Sequence, residues 1–370
     1  MPPVSYLDWN AGAPMRSRAR AALLAALERA GNPSSVHGPG REARRLVEDA
    51  RAAVGALVGA PARSVVFTSG GTEANALALC GLALPVAVSA VEHASVLDAR
   101  DDAIRLPVDG DGIVSLPALA ALLAGRGPML VSVMAANNET GVVQPLRDVA
   151  DLVHAHGGLL HCDAVQAAGR IPLDMRALGI DLLSLSAHKI GGPQGAGALV
   201  LADQGGLRAM LRGGGQEGGL RAGTENVAGI SAFGAAAREA GAEAAGFAAL
   251  AALRDGLVGA CRAAAPETVA IAARAPRIAN TACLSLPGAE AATIVMAMDL
   301  AGFAISAGAA CSSGKVRPSH VLAAMGLAPE IRSGAVRVSL GPATSLDEAG
   351  RFAGEWGRIA ARVRDARAAA

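Results

Sequence analysis

Two side chains in this sequence are positioned for covalent chemistry. Lys189 closely follows the apolar run Leu182–Ser186 and precedes Ile190-Gly191-Gly192-Pro193, so an amine stands where a buried strand gives way to a turn. Desolvation lowers a lysine pKa and lets the amine form a Schiff base with a carbonyl compound. An exposed loop lysine is the ordinary alternative. It loses ground because lysine occurs only at positions 189 and 315, and arginine supplies every other basic side chain. Arginine cannot do this chemistry at neutral pH. The second side chain is Cys311, within Ser306-Ala307-Gly308-Ala309-Ala310-Cys311-Ser312-Ser313-Gly314. Small residues on both sides predict a mobile, accessible segment in which a thiol can react. Cys80, Cys162 and Cys283 stand in apolar surroundings and read as core residues.

Two more segments could serve such a pair. Asp163 ends the apolar run Leu159-Leu160-His161-Cys162, and ligands gather at the carboxyl ends of strands in parallel α/β sheets. An acid there could hold a protonated ring nitrogen, as pyridoxal phosphate requires, or could cap the next helix. The run Val65–Thr68 leads into Ser69-Gly70-Gly71, after which Thr72 is expected to open a helix. A helix start with a hydroxyl suits a phosphate, while a plain cap preceded by a glycine turn is the other reading. The string is neither a Walker A loop nor GxGxxG, which disfavours an ordinary nucleotide site. His154, His156, His161 and Asp163 invite a metal reading, yet His154 and His156 close a helix, where the dipole favours imidazole, and His161 lies on a strand. No metal is expected.

The elements that must hold these groups alternate between short β-rich runs and long helical stretches, the pattern of an α/β fold with a largely parallel sheet. The predicted strands are Val65–Thr68, Val86–Ser89, Leu130–Met134, Leu159–Asp163, Leu182–Ser186 and Ala198–Leu201, followed by Thr281–Leu286 and Ala335–Leu340. Predicted helices include Leu146–His156, Ala289–Ala301 and one or two helices across Glu225–Ala264, broken near Gly241 or Gly246. The glycine-rich stretch Gly213–Gly219 reads as a functional loop. With 370 residues, 52% apolar but only 2% aromatic, the core must be filled by small aliphatic side chains. A net charge of +1 gives no electrostatic case for nucleic acid or membrane, and no run of about 18 uncharged apolar residues occurs. The start lacks the pattern of a signal peptide. Five scattered cysteines without CxxC spacing argue against a disulfide framework or zinc knuckle, so the chain reads as cytoplasmic.

Taken in order, these segments resemble the NifS/IscS-type cysteine desulfurases, pyridoxal-phosphate enzymes of fold type I in the class V aminotransferase family. The matching strings include Tyr6-Leu7-Asp8, Gly31-Asn32-Pro33-Ser34-Ser35-Val36-His37, Thr68-Ser69-Gly70-Gly71-Thr72-Glu73 and Val91-Glu92-His93. They continue through Ala136-Asn137-Asn138-Glu139-Thr140-Gly141, His188-Lys189, Arg221-Ala222-Gly223-Thr224-Glu225-Asn226-Val227 and Cys311-Ser312-Ser313-Gly314. The last are Pro318-Ser319-His320-Val321-Leu322 and Arg337-Val338-Ser339-Leu340-Gly341. Any one string is weak evidence, but the ordered set is specific and runs from about residue 6 to 345.

The resemblance implies an aspartate-aminotransferase-like α/β fold with a mainly parallel seven-stranded sheet in a large domain (residues 12–247). A smaller α+β domain (residues 1–11 and 248–370) would carry the cysteine segment. It further implies that Lys189 holds pyridoxal phosphate covalently and moves the substrate's Cα proton. Asp163 would pair with the ring nitrogen, Gln166 reach the ring hydroxyl and His93 stack on the ring. Gly71, Thr72, Ser186 and His188 would hold the phosphate, joined by Thr224 from the neighbouring subunit of a homodimer. Arg337 and Asn138 would bind the carboxylate of L-cysteine, with Asn10 close by; a guanidinium fork matches two oxygens. Cys311 would take the sulfur as a persulfide, release alanine, and pass the sulfur to an iron–sulfur scaffold or another acceptor. A selenocysteine lyase or a small aminotransferase is the neighbouring alternative, although a transaminase has no need of Cys311. The chain departs from the family pattern at Trp9-Asn10-Ala11-Gly12-Ala13, where hydroxyls are common, and at Ala187 and Ala309.

Overall fold

The computed structural model describes residues 4–203, 205–308 and 318–368. After a short strand Ser5–Tyr6 (β1), seven strands follow: Val65–Thr68 (β2), Val86–Ser89 (β3), Ile104–Leu106 (β4), Leu130–Ser132 (β5), Leu159–Asp163 (β6), Leu182–Ser186 (β7) and Gly197–Leu201 (β8). They form one sheet in the order β2-β8-β7-β6-β5-β3-β4. Only β8 runs against its neighbours. β2 therefore points the same way as β7. The carboxyl ends of six strands share one edge of the sheet, the geometry in which α/β folds bind ligands.

These runs form strands because both faces of the sheet are covered. β2, β3, β5, β7 and β8 are buried at every position, which is why they read as continuous Val/Leu runs rather than alternating ones. On one face, helices Ser17–Leu27, Gly38–Leu57 and Val227–Phe247 pack together. The last two approach closely at Gly234, where a Cβ would stand 2.5 Å from the Ala50 Cα. Core packing there is accordingly dominated by Ala, Val and Leu.

The remaining strands are Val269–Ile271 (β9), Thr281–Ser285 (β10), Phe303–Ala304 (β11), Ser306–Ala307 (β12) and Ala335–Ser339 (β13). Four make an antiparallel sheet in the order β12-β13-β10-β9, and β1 pairs with β11. Their core holds Leu7, Phe303, Phe352 and Trp356. The Phe352 and Trp356 rings stack with centroids 6.1 Å apart, and the Trp356 Nε1 donates to Thr268 Oγ1 at 2.9 Å.

Several expectations shift by a residue or more. The helix predicted to open at Thr72 starts at Gly71, with Gly70 as its N-cap. Leu130–Met134 ends as a strand at Ser132, because the Met134 N–H donates to the Glu92 carboxylate. The stretch Glu225–Ala264 is two helices, Val227–Phe247 and Leu250–Ala264. Ser306 and Ala307, read as part of a mobile segment, are paired with Arg337 and Val336 as β12. The edge strand β4 was not expected; its residues are only partly apolar. Among the described residues no single helix is long and apolar enough to cross a membrane.

Candidate active site

The carboxyl ends of β2, β6 and β7, with the loops after β3 and β5, enclose a cavity of about 320 Å³. Lys189 enters it from a short 3-10 turn, Ala187–Lys189, immediately after β7. The turn is pinned at Ala187, which hydrogen-bonds Ala196 and Gly192 through the main chain. The amine itself donates to the carbonyls of Asn10 at 2.6 Å and Ala11 at 2.9 Å. A nucleophile is thus held by neutral oxygens at the mouth of a partly apolar cleft. Ser186 and His188 line the same cavity. Burial, then the neighbouring Lys189 charge, lowers the His188 pKa to about 4, so its imidazole is neutral at physiological pH.

Asp163 is the last residue of β6 and is 6% exposed. Its carboxylate accepts from Asn75 Nδ2 at 2.8 Å and from the Val165 N–H at 2.9 Å. Asn75 lies three positions after Thr72 on the helix Gly71–Gly81, so both residues line the cavity from one helix face. Deeper groups are shifted toward their neutral forms. Burial lowers the His161 pKa to about 4, and burial followed by the Asp163 charge raises that of Glu92 well above the carboxylate range. The helix start offers no side-chain cap, since Gly70 is the N-cap. At Gly71 a Cβ would stand 2.9 Å from Val165 Cγ2, so only glycine fits this wall of the cavity without a shift. An anion would find main-chain N–H groups there with Thr72, Ser186 and His188 alongside.

His93 caps the helix Ala94–Leu97 through its Nδ1, which accepts from the Ser95 N–H at 3.1 Å and contacts the Ser95 hydroxyl at 2.8 Å. Both residues line the cavity. Arg337 reaches it from the middle of β13 and is 3% exposed. One guanidinium nitrogen pairs with Asp8 at 2.6 Å, another donates to the Asn138 carbonyl at 3.2 Å, and the buried Nε has no hydrogen-bond partner among the described residues. Asn138 lines the cavity beside it. Asn10 does too, but its side-chain amide is engaged with Asn138, Thr281, Arg170 and Asn280, leaving its main-chain carbonyl to serve Lys189 and Gln166.

The cavity brings together every predicted site residue except two. Thr224 is exposed and lines a separate surface recess with Arg221 and Gly223. Cys311 lies outside the described residues. Gly308 on one side of that stretch would bring a Cβ within 2.7 Å of Glu139 Oε2, and on the other side Ser319 donates to Glu139 Oε2 at 2.6 Å. Cys162 and Cys283 are buried as expected, but Cys80 is exposed. It sits at the end of the helix Gly71–Gly81 and its thiol donates to the Ala99 carbonyl at 3.3 Å. His154 pairs with Asp181 and His156 with the Leu152 carbonyl, while His161 bridges Ser132 and Ser184. Sequence reasoning missed Asn75, Ser95, Asp8 and Arg170 as site residues. Asn75 alone left a local trace, as an amide among Ala and Leu on one helix.

The aminotransferase class-V family model matches residues 5–352. A cysteine desulfurase of Cereibacter sphaeroides is 44% identical, covering 94% of this chain and 93% of its own. The cysteine desulfurase IscS of Dictyoglomus turgidum is 36% identical, with 93% and 91% covered. Among solved structures, a NifS-like protein from Rickettsia africae superposes with a TM-score of 0.90 at 31% identity, covering 96% of this chain and 99% of that one.

Proposed function

The chain belongs to the aminotransferase class-V family, and from that membership we propose that it is a cysteine desulfurase working with pyridoxal phosphate. The observation that carries the proposal is the meeting, in one cavity, of the Lys189 amine, the buried Asp163 carboxylate, an uncapped helix start and the Arg337 guanidinium. This donor set fits the cofactor. Lys189 suits its aldehyde, Asp163 its basic ring nitrogen, the Gln166 amide its ring hydroxyl and His93 its ring face. Gly71, Thr72, Ser186 and His188 suit its phosphate, with Thr224 contributed across a homodimer. Bound there, the cofactor draws electrons from the amino acid's Cα and so makes the Cβ–S bond breakable.

The chain's own groups do the rest. Arg337 and Asn138 hold the carboxylate of L-cysteine; the guanidinium is already steadied by Asp8. Lys189 Nζ, which donates to the carbonyls of Asn10 and Ala11, takes and returns the Cα proton. The Cys311 thiolate attacks the substrate sulfur. An S–S bond forms, the Cβ–S bond breaks with its electron pair staying on carbon, and protonation of that carbon gives alanine. The persulfide then passes its sulfur to an iron–sulfur scaffold or another acceptor. Cys311 must be reduced to act, which suits the cytoplasm. Residues 12–247 would form the cofactor-binding domain and residues 1–11 with 248–370 the smaller one. The pairing of β1 with β11, and Leu7 within the core of Trp356, support that division.

The test is to supply pyridoxal phosphate and L-cysteine and to measure alanine and persulfide. The wild type should form a yellow complex, release alanine and carry a persulfide on Cys311. Cys311→Ser should keep the colour and lose the persulfide and desulfurase turnover. A serine variant with full turnover would overturn the assignment of Cys311.

A further inference from the structure

Arg170 follows Gln166 by one helical turn's spacing and is 4% exposed. A guanidinium this buried is expected to have an anion beside it. Here its hydrogen bonds go to four neutral oxygens: Asn10 Oδ1 at 2.6 Å, Gln166 Oε1 at 2.8 Å, and the carbonyls of Lys189 at 3.3 Å and Trp9 at 3.4 Å. The Phe247 ring lies 5.7 Å from its central carbon. No carboxylate pairs with it among the described residues. Three of its four acceptors belong to residues that line the cavity. Burial, then the charge of Arg337, lowers its pKa to about 9, which still leaves it charged at physiological pH.

A guanidinium can only donate, so it dictates the orientation of the Gln166 amide. With Oε1 turned to Arg170, the amide nitrogen points the other way and donates to the Asn10 carbonyl at 3.0 Å. One N–H of that NH₂ group remains for whatever fills the cavity. We infer that Arg170 is a positioning residue, which makes Gln166 present a donor rather than an acceptor to the cofactor and sets a fixed positive charge under Lys189. Resting on the proposed pyridoxal-phosphate site, this assigns a role to a residue that does not itself line the cavity. The donor would steady negative charge on the cofactor's ring oxygen. The fixed charge would make a proton on the lysine–cofactor linkage less stable. Both effects lower the pH at which that linkage loses its proton.

The experiment titrates the yellow chromophore by absorbance, without substrate, in holoenzymes of wild type, Arg170→Gln, Arg170→Lys and Gln166→Leu. His93, Asp163, His188 and Arg337 face the same cavity and are common to all four, so differences report on the substituted residue. Arg170→Gln should raise the midpoint by about one pH unit. Gln166→Leu should raise it in the same direction, and Arg170→Lys should restore most of the wild-type value. A midpoint unmoved in Arg170→Gln or in Gln166→Leu, at equal cofactor content, overturns the inference. If Arg170→Gln does not fold, Arg170→Met takes its place with the same expected shift, and Gln166→Leu still decides the amide's part. A purely structural role would lower the apo protein's melting temperature and leave the midpoint in place. Wild-type protein that forms no chromophore with pyridoxal phosphate would instead sink the proposed function.

Discussion

The two sheets solve opposite problems. Around the carboxyl ends of the seven-stranded sheet the interior is polar, with Asp163, His161, Glu92, Asn75, Gln166 and Arg170 all at or below 6% exposure. Each is hydrogen-bonded to neighbours from other segments, and the surrounding apolar packing is mostly Ala, Val and Leu. In the four-stranded sheet the order is reversed. Phe303, Phe352 and Trp356 pack in one apolar cluster, and β13 sends a single charged side chain, Arg337, to the cavity. One region thus spends burial on holding reactive groups in place, and the other gains most of its cohesion from large aromatic surfaces. Small side chains leave room for close backbone approach, which a polar network needs; aromatic rings compensate where strands are few.

That contrast can be broken by substitution. Lys189→Ala should remove the yellow chromophore and cut cysteine turnover by about 10³-fold or more while leaving the melting temperature of the apo protein nearly unchanged. Activity assays and thermal unfolding, run in parallel, check both halves. Trp356→Ala should do the reverse, costing about 3–5 kcal/mol of stability by opening a cavity, as read from denaturant unfolding. At temperatures well below its transition it should keep the chromophore. Arg337→Ala should raise KM for L-cysteine by about 10- to 100-fold, the loss of one charge-assisted contact, with a smaller change in kcat. An unchanged KM would assign the substrate carboxylate to another group.

The smallest effect sharpens the electrostatic half of the comparison. His161 holds its proton more weakly in the folded chain, at a pKa of about 4, than the unfolded value near 6.5. As the pH falls below 6.5 the unfolded state takes up that proton first, so stability declines toward pH 4. Between pH 6.5 and 5 the decline from this residue is about 1.5 kcal/mol. His161→Gln should flatten that part of the pH–stability curve, and an identical slope in the variant would show that other groups carry it.

Much of this is legible in the sequence. Strand ends followed by a reactive residue are local patterns, which is why Asp163, Ser186, His188 and Lys189 could be read from their own neighbours. β2, β3, β6 and β7 have the expected bounds because each is a short, mostly apolar run that ends on a polar residue. Cys80 was misread because its helix is rich in Ala and Leu, so periodicity does not say which side faces solvent. The edge strand β4 had too few apolar residues to stand out.

By itself, then, the sequence determined the strand-and-helix alternation, the lysine kept among arginines and the ordered motifs that carry the family likeness, since all of these are properties of type and spacing along the chain. Tertiary structure alone decided which partners those residues meet. Asp8 and Arg337 are 329 positions apart and pair at 2.6 Å, and Arg170 meets Asn10 across 160. No local pattern encodes such contacts, because they arise when chain closure brings polar groups into a space from which water is excluded, where each must find a partner.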